Sequence, residues 1–402
     1  MMLGGAAAAI ATTIPAPVRS QPTRMEDVRV LRAAALEGRS PPALAYGGTV
    51  PGPILRLRRG DELAVRLINS LDEATALDWH GLRGAGMLAS PPQRPPLAPG
   101  TSVDMRLACP DAGTFWYHAE RHDQARRGLH GLLVVEESEP VAVDRDLPLI
   151  IADAPVSDAG APALMANGAP TLQWPVRTNE RLRLRLVNAA SRVLAVRIEA
   201  HRPMVMALDG QPCEPFVARD AEVFLGPGNR ADLFVDMVLT PGAAAAIVAQ
   251  TESGTATVAT LSYGETPLRA APLAPPQPLP ANDLPARMDF AGAFKSDLVL
   301  TGTLTGAEPS SRPAFSIRRG RTVMLGLSNR TAAVQVVRVH GHAFRLLDRL
   351  DDGWKPFWLD TLVVPSGGTH RVAFVPDRAG AFLITAAGIA GAPSLTTWFE
   401  VT

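Results

Sequence analysis

The sequence predicts an all-β chain of three β-sandwich domains. Three observations predict it: strands that alternate apolar and polar residues, a strand-and-turn pattern written three times at domain length, and an excess of turn formers. Prolines number 37 of 402 residues, about 9% against a norm of roughly 5%. With 34 glycines and no collagen period, they punctuate many short strands. No stretch of 12 or more residues keeps a 3.6-residue apolar period, so no long helix is expected.

The repeated elements follow in order. In the first third, Arg59-Gly60-Asp61 leads into the alternating strand Leu63-Ala64-Val65-Arg66-Leu67-Ile68-Asn69. In the middle, Asn179-Glu180 leads into Leu182-Arg183-Leu184-Arg185-Leu186-Val187-Asn188, and in the last third Arg319-Gly320-Arg321 leads into Val323-Met324-Leu325-Gly326-Leu327-Ser328-Asn329. Period 2 is expected where one face of a strand is buried and the other is wet. Eleven residues past each Asn, a second strand carries His80, Glu199 or His340. Next come the turns Pro99-Gly100, Pro227-Gly228 and Pro365-Ser366-Gly367, each before another alternating strand. The outer units share a further turn and strand, Pro110-Asp111-Ala112-Gly113-Thr114-Phe115-Trp116-Tyr117 and Pro376-Asp377-Arg378-Ala379-Gly380-Ala381-Phe382-Leu383. The boundaries expected are a leader at 1–24 and domains at 25–140, 141–270 and 271–402, the last opening with a Pro-rich linker from Ala271 to Pro285.

Charge narrows the function classes. Lys plus Arg and Asp plus Glu are 39 each, so no global field draws the chain to nucleic acid or an anionic membrane. Residues 3–14, a small apolar run before Pro15-Ala16-Pro17, read as the core and cleavage zone of an export signal, too short to span a bilayer. The alternative is an Ala-rich disordered N-terminus. No basic residue precedes the run, so a twin-arginine leader fits only if the start site lies further upstream. No other segment is apolar for long enough to make a membrane helix. The two cysteines, Cys109 and Cys213, either pair in an oxidising compartment or stay as buried thiols. Arg59-Gly60-Asp61 reads as a turn, and Asn329-Arg330-Thr331 has the form of a glycosylation acceptor. His122, His130, His201 and His342 are assigned to strand ends or surfaces.

Longer phrases carry a family resemblance. Asp78-Trp79-His80-Gly81-Leu82, Gly113-Thr114-Phe115-Trp116-Tyr117-His118-Ala119-Glu120, Gly128-Leu129-His130-Gly131 and Asp209-Gly210-Gln211-Pro212 all contribute, as do Leu225-Gly226-Pro227-Gly228-Asn229-Arg230, Val339-His340-Gly341-His342 and Trp358-Leu359-Asp360-Thr361. Together they resemble the multicopper oxidases over almost the whole chain after the leader. The resemblance implies three cupredoxin-like Greek-key sandwiches. It also implies a type 1 copper on one thiolate and two imidazoles, and a three-copper cluster on eight imidazoles between the first and third domains.

Most of those ligand positions hold other residues here. The type 1 thiolate position is Ala386 and its imidazole positions are Gln335 and Gly391. Of the cluster positions, His80, His118 and His340 keep imidazoles, while the others are Asp78, Glu120, Arg338, Thr385 and Ala387. A blue-copper site needs a soft thiolate, so no type 1 centre and no laccase activity are expected, and no residue is read as catalytic. By resemblance, Asp78 and Arg338 face each other where one copper would sit, and Glu120 and His340 share another position. These pairs are expected to clamp the domains in place of metal. The alternative is a residual copper or zinc site on His80, His118 and His340 with Asp78 or Glu120.

The functional expectation is a periplasmic, non-catalytic binding protein, monomeric and without cofactor, with an unidentified protein partner. A copper-free bacterial relative, exported folded to support the cell-division machinery, offers the precedent. The competing expectation is a divergent metalloenzyme.

Overall fold

The computed structural model describes residues 29–36, 43–84, 95–154, 164–252, 254–302, 311–347, 354–389 and 393–402. The expected leader and Gly391 lie outside them. Each third of the chain forms two facing sheets. The first pairs a sheet of Leu44–Tyr46, Arg29–Ala35, Glu62–Asn69 and Ser102–Ala108 with one of Gly52–Arg58, His130–Glu136, Gly113–Ala119 and Leu77–His80. The second third pairs six strands with five, and the last five with five, among the described residues. Three separate cores fill the sandwiches, around Leu67 and Phe115, around Leu184 and Ile247, and around Leu325 and Phe399. No helix of the described residues is long and apolar enough to cross a membrane. The longest is His122–Arg126, five residues.

The Asn that ends each repeated strand explains why the pattern recurs. Asn69, Asn188 and Asn329 are all buried. In each, Oδ1 accepts from the backbone N–H two residues on, at Leu71, Ala190 and Thr331. Each Nδ2 donates to the carbonyl four residues on and to a second carbonyl across the turn, at Leu97, Leu225 and Val364. One side chain thus satisfies three backbone groups that a strand end leaves without partners. In Asn329 this use of the amide, at 1% exposure, removes the glycosylation reading.

Two other expectations change. The alternating strand Arg181–Asn188 has no wet face: Arg181, Arg183 and Arg185 are at most 2% exposed. Their side reaches the first domain, where Arg185 donates to Thr114 Oγ1 at 2.9 Å. Arg183 meets Glu137 and Asp232, and Arg185 meets Asp146. Burial acts to raise the Asp232 carboxyl, but Arg183 and Arg185 outweigh it and hold it below the usual carboxylate range. Val187, on the same side, joins Trp116, Leu132, Val134 and Ile150 in an apolar strip.

The Pro-rich linker is docked rather than free. Leu279 packs on Met206 and Phe234 of the second domain. Asn282 exchanges hydrogen bonds with the backbone of Ala112 and also donates to Gln211.

The cysteines settle on the thiol alternative. Cys109 sits in the first core and Cys213 in the second, both free, so no disulfide joins them. Burial pushes both thiols up to about 12.

Candidate functional site

The three domains meet around a cavity of about 750 Å³. Strand pleat decides what faces it. Leu77–His80 pairs with Gly113–Ala119 so that Asp78 lies opposite His118 and His80 opposite Trp116. These four share one side, while Trp79 and Tyr117 point to the other side and into the first core. In the third domain, Gln335–Val339 pairs with Gly380–Gly388, which sets Arg338 opposite Thr385 and Val336 opposite Ala387. The second domain contributes the turn Pro227-Gly228. Gly228 has φ +86°, and a Cβ there would lie 2.6 Å from His80 Cε1, so only glycine lets this turn close over the imidazole.

The structure brings Asp78 and Arg338 together. Arg338 Nη1 donates to Asp78 Oδ2 in a short charge-assisted bond between the first and third domains. Asp78 is 2% exposed. His118 Nε2 lies 3.6 Å from the same carboxylate, and His340 Nδ1 lies 3.8 Å from its other oxygen. His340 Nε2 meets Thr385 Oγ1 at 2.9 Å. Glu120, exposed at the end of its strand, lines the same cavity as His340.

The histidines form a chain whose polarity follows from its end. His118 Nδ1 donates to the Ala119 carbonyl at 2.8 Å, so Nε2 of the neutral ring accepts. His80 Nδ1 then donates to it at 3.2 Å, and His80 Nε2 faces Thr361 Oγ1 at 2.7 Å. Thr361 also contacts Asp360 Oδ1 at 2.7 Å, so its one proton serves either His80 or Asp360 at a time. Burial, reinforced by Arg338, holds His80 well below the usual imidazole range. Burial likewise lowers His118 to about 4. Both rings are therefore neutral at pH 7.

One donor atom each from Asp78, His80 and His118 lies within 4.8 Å of the other two. All three side chains are already hydrogen-bonded. A cation would have to displace the Arg338 bond, the His80–His118 bond or the Thr361 bond.

The type 1 position offers less. Ala386 is buried in the third core with no donor atom in its side chain. Gln335 is held in a neutral network, accepting from Ser394 Oγ at 2.6 Å and donating to Thr331 Oγ1 at 2.9 Å. Both cysteines lie in other domains. The donor set does not fit a type 1 copper.

A second interdomain centre escapes the sequence reading. Arg230, fully buried, donates through Nη1 to Asp360 Oδ1 at 2.9 Å and to Gly228 O at 3.0 Å, and through Nε to Thr114 O at 3.2 Å. Nη2 pairs with the second Asp360 oxygen. Asp209, beside them, accepts from the Arg230 backbone N–H at 2.9 Å. Burial, with Asp360 next to it, pushes Asp209 up to about 6. For Asp360 burial acts the same way, but Arg230 outweighs it and holds that carboxyl far below its usual range. Asp209, Arg230 and Asp360 all lie in phrases that carry the family resemblance, but nothing in their spacing reveals that they meet.

Of the histidines assigned to strand ends or surfaces, three are buried, although His130 does begin its strand. His130, His201 and His342 are each at most 5% exposed. His201 donates to Glu199 O and faces Tyr263 OH, both at 2.6 Å. His342 donates to His340 O at 2.9 Å amid Phe374, Phe382 and Phe399. His122, at the start of the short helix, meets Ser191 Oγ at 3.2 Å.

Comparison with known proteins agrees with this architecture. Three family models described as multicopper oxidase match residues 28–140, 113–266 and 280–385. The chain is 25% identical over 444 residues to the protein called multicopper oxidase MmcO of Mycobacterium tuberculosis, covering 92% of this chain and 84% of that one. A crystal structure of a multi-copper oxidase from Pseudomonas thermotolerans superposes with a TM-score of 0.82 at 28% identity, over 93% of this chain and 99% of that one. Lac15 from a marine microbial metagenome gives a TM-score of 0.78 at 29% identity, with the same coverage.

Proposed function

Since the chain belongs to the multicopper oxidase family, we propose that it is a member without type 1 copper or laccase activity, exported to the periplasm and acting there as a non-catalytic binding protein for a protein partner. The observation that carries this reading is Ala386, an apolar side chain in a packed core where the family's electron-accepting thiolate is expected. Without that thiolate, reducing equivalents have no entry to a cluster. Asp78, which the resemblance puts at a copper ligand, is engaged by Arg338 instead, and the pair serves as a clamp between the first and third domains. The apolar run at residues 3–14 supports export.

The test is metal content by elemental mass spectrometry, on protein expressed with added copper and dialysed against a weak chelator. Less than about 0.1 equivalent of copper or zinc is expected, because Asp78, His80 and His118, the donors that lie together, are already hydrogen-bonded within the protein. A second reading, a divergent metalloenzyme, has one observation in its favour, the closeness of Asp78, His80 and His118. About one equivalent of bound metal, lost in His80→Ala, would establish that reading and overturn the first.

The clamp makes its own prediction. Arg338→Met leaves the Asp78 carboxylate buried without its cation and is expected to lower stability by about 2 kcal/mol in chemical denaturation, less than the roughly 3–5 kcal/mol of a fully buried pair because the Arg338 side chain is partly exposed. Removing both charges in Asp78→Leu/Arg338→Met should cost less than Arg338→Met alone, because no unpaired charge remains. An unchanged midpoint for Arg338→Met would remove the clamp.

A further inference from the structure

We propose that the strand Ser102–Ala108 is the interface of a two-fold dimer, pairing edge to edge with the same strand of a second copy of this chain. The proposal takes the place of the expected monomer and does not depend on metal content. The corresponding strands of the other two domains are flanked on both sides. Arg230–Asp236 carries Met204–Leu208 on its far side, and Thr369–Phe374 carries Phe344–Leu347. In the first domain, Ser102–Ala108 pairs only with Glu62–Asn69 among the described residues and ends its sheet. The link from His80 to Ser102 is shorter than those from Ile198 to Arg230 and from Val339 to Thr369, which supply the added strand. The facing sheet also stops early, at Leu77–His80, but that strand is buried where the domains meet. In Ser102–Ala108 no residue is buried, and Val103, on the core side, is 40% exposed.

The edge itself is open to pairing. It has no proline, and its register with Glu62–Asn69 is unbroken, so two usual protections of an edge, a proline and a bulge, are missing. At the ends of the ladder, Asn69 N–H donates to Thr101 O at 2.9 Å and Cys109 N–H to Asp61 O at 3.0 Å. Antiparallel pairs alternate, so odd-numbered residues turn their backbone groups toward Glu62–Asn69. Those of Ser102, Asp104, Arg106 and Ala108 therefore point outward, and an antiparallel second copy must set these four against one another. The register centred on Met105 places Asp104 opposite the partner's Arg106 and Arg106 opposite the partner's Asp104. Sliding one step either way sets Asp104 against Asp104 or Arg106 against Arg106, and further slides shorten the contact. Facing opposite charges attract and like charges repel, which selects the Met105 register. Arg66 and Glu62 already meet Asp104 and Arg106, so the pairing continues their charged rows into the second copy. On the core side the partner's Leu107 comes beside Val103 and covers apolar surface that the open edge leaves wet.

Sedimentation velocity of the full chain tests this. At about 100 μM, well above a micromolar Kd, a species of twice the chain mass is expected, dissociating on dilution. Asp104→Arg and Arg106→Asp should each weaken association by at least about tenfold, because each puts like charges together. Mixed in equal amounts, the two variants should associate again, since their changed charges then face each other with opposite sign. A merely damaged fold would not be repaired by mixing. Met105→Cys is expected to give a disulfide-linked dimer on air oxidation, because its Cα atoms would face each other at about 4.5 Å, within disulfide reach. Val103→Cys, which faces the partner's Leu107, should not. A wild-type chain that stays single at this concentration overturns the proposal and leaves the edge to an extended segment of another protein. A dimer that both charge variants leave intact, or that mixing them fails to restore, overturns it as well and places the contact elsewhere.

Discussion

Arg230→Met is expected to destabilise the protein by about 3–5 kcal/mol, the cost of breaking a buried ion pair by removing one partner. The side chain ties three domains at once, through Thr114 O in the first, Gly228 O in its own and Asp360 in the third. Without it, Asp209 and Asp360 remain buried side by side with no cation between them. One of the two must then take up a proton at neutral pH, and Asp209, already raised to about 6, is the natural acceptor. Urea denaturation measures the loss. The control is Arg66→Ala, whose partner Asp104 lies in solvent, the two side chains being 48% and 61% exposed. That change should leave the midpoint almost where it is, because solvent screens an exposed pair. Similar midpoints for the two variants would show that the Arg230 centre holds nothing together.

Gly113→Ala is the second large effect. Gly113 opens a strand of the first domain with φ +148°, and a Cβ there would lie 2.1 Å from Gly210 O in the second domain. The obstacle is backbone, which cannot swing aside as a flexible side chain can. The domains must separate or the strand must twist. Either movement pulls on the bond from Thr114 Oγ1 to Asp232 at 2.5 Å and on the bond from Arg230 to Thr114 O. A loss of about 3 kcal/mol is expected, at the upper end of overpacking costs, together with faster proteolysis within 271–285, where Asn282 is tied to Ala112. Gly60→Ala supplies the contrast. Its φ is +90° with nothing within 4 Å of a Cβ, so only the backbone penalty of about 1–2 kcal/mol applies. Equal losses would mean that the approach of Gly113 to Gly210 is not a constraint.

The fold was legible because its determinants are local. Alternation along Glu62–Asn69, the Asn at its end and the turn before it each act within a few residues, and the chain repeats them. What depends on domains meeting was hidden. Arg181, Arg183 and Arg185 alternate like a solvent-facing stripe, and only their distant carboxylates, Asp236, Asp232, Glu137 and Asp146, make burial tolerable. For the same reason nothing local marked His201 or His342 as buried, or Thr361 as the partner of His80. Asp78 and Arg338 were paired in advance only because the resemblance supplied a register between domains. Burial of the two cysteines in separate cores could not be read from their count.

The arginine side of the strand Arg181–Asn188 also bears on how the chain is made. During synthesis the second domain emerges after the first and before the third. While its docking face is open, that face carries three guanidinium groups along one strand, ending in a short apolar strip at Val187. Asp146, Asp232 and Asp236 of the same domain pair with them, so the open face is densely charged and hydrated, and it offers nascent chains little apolar surface through which to stick together. The charges that brace the finished molecule thus also keep its unfinished forms apart.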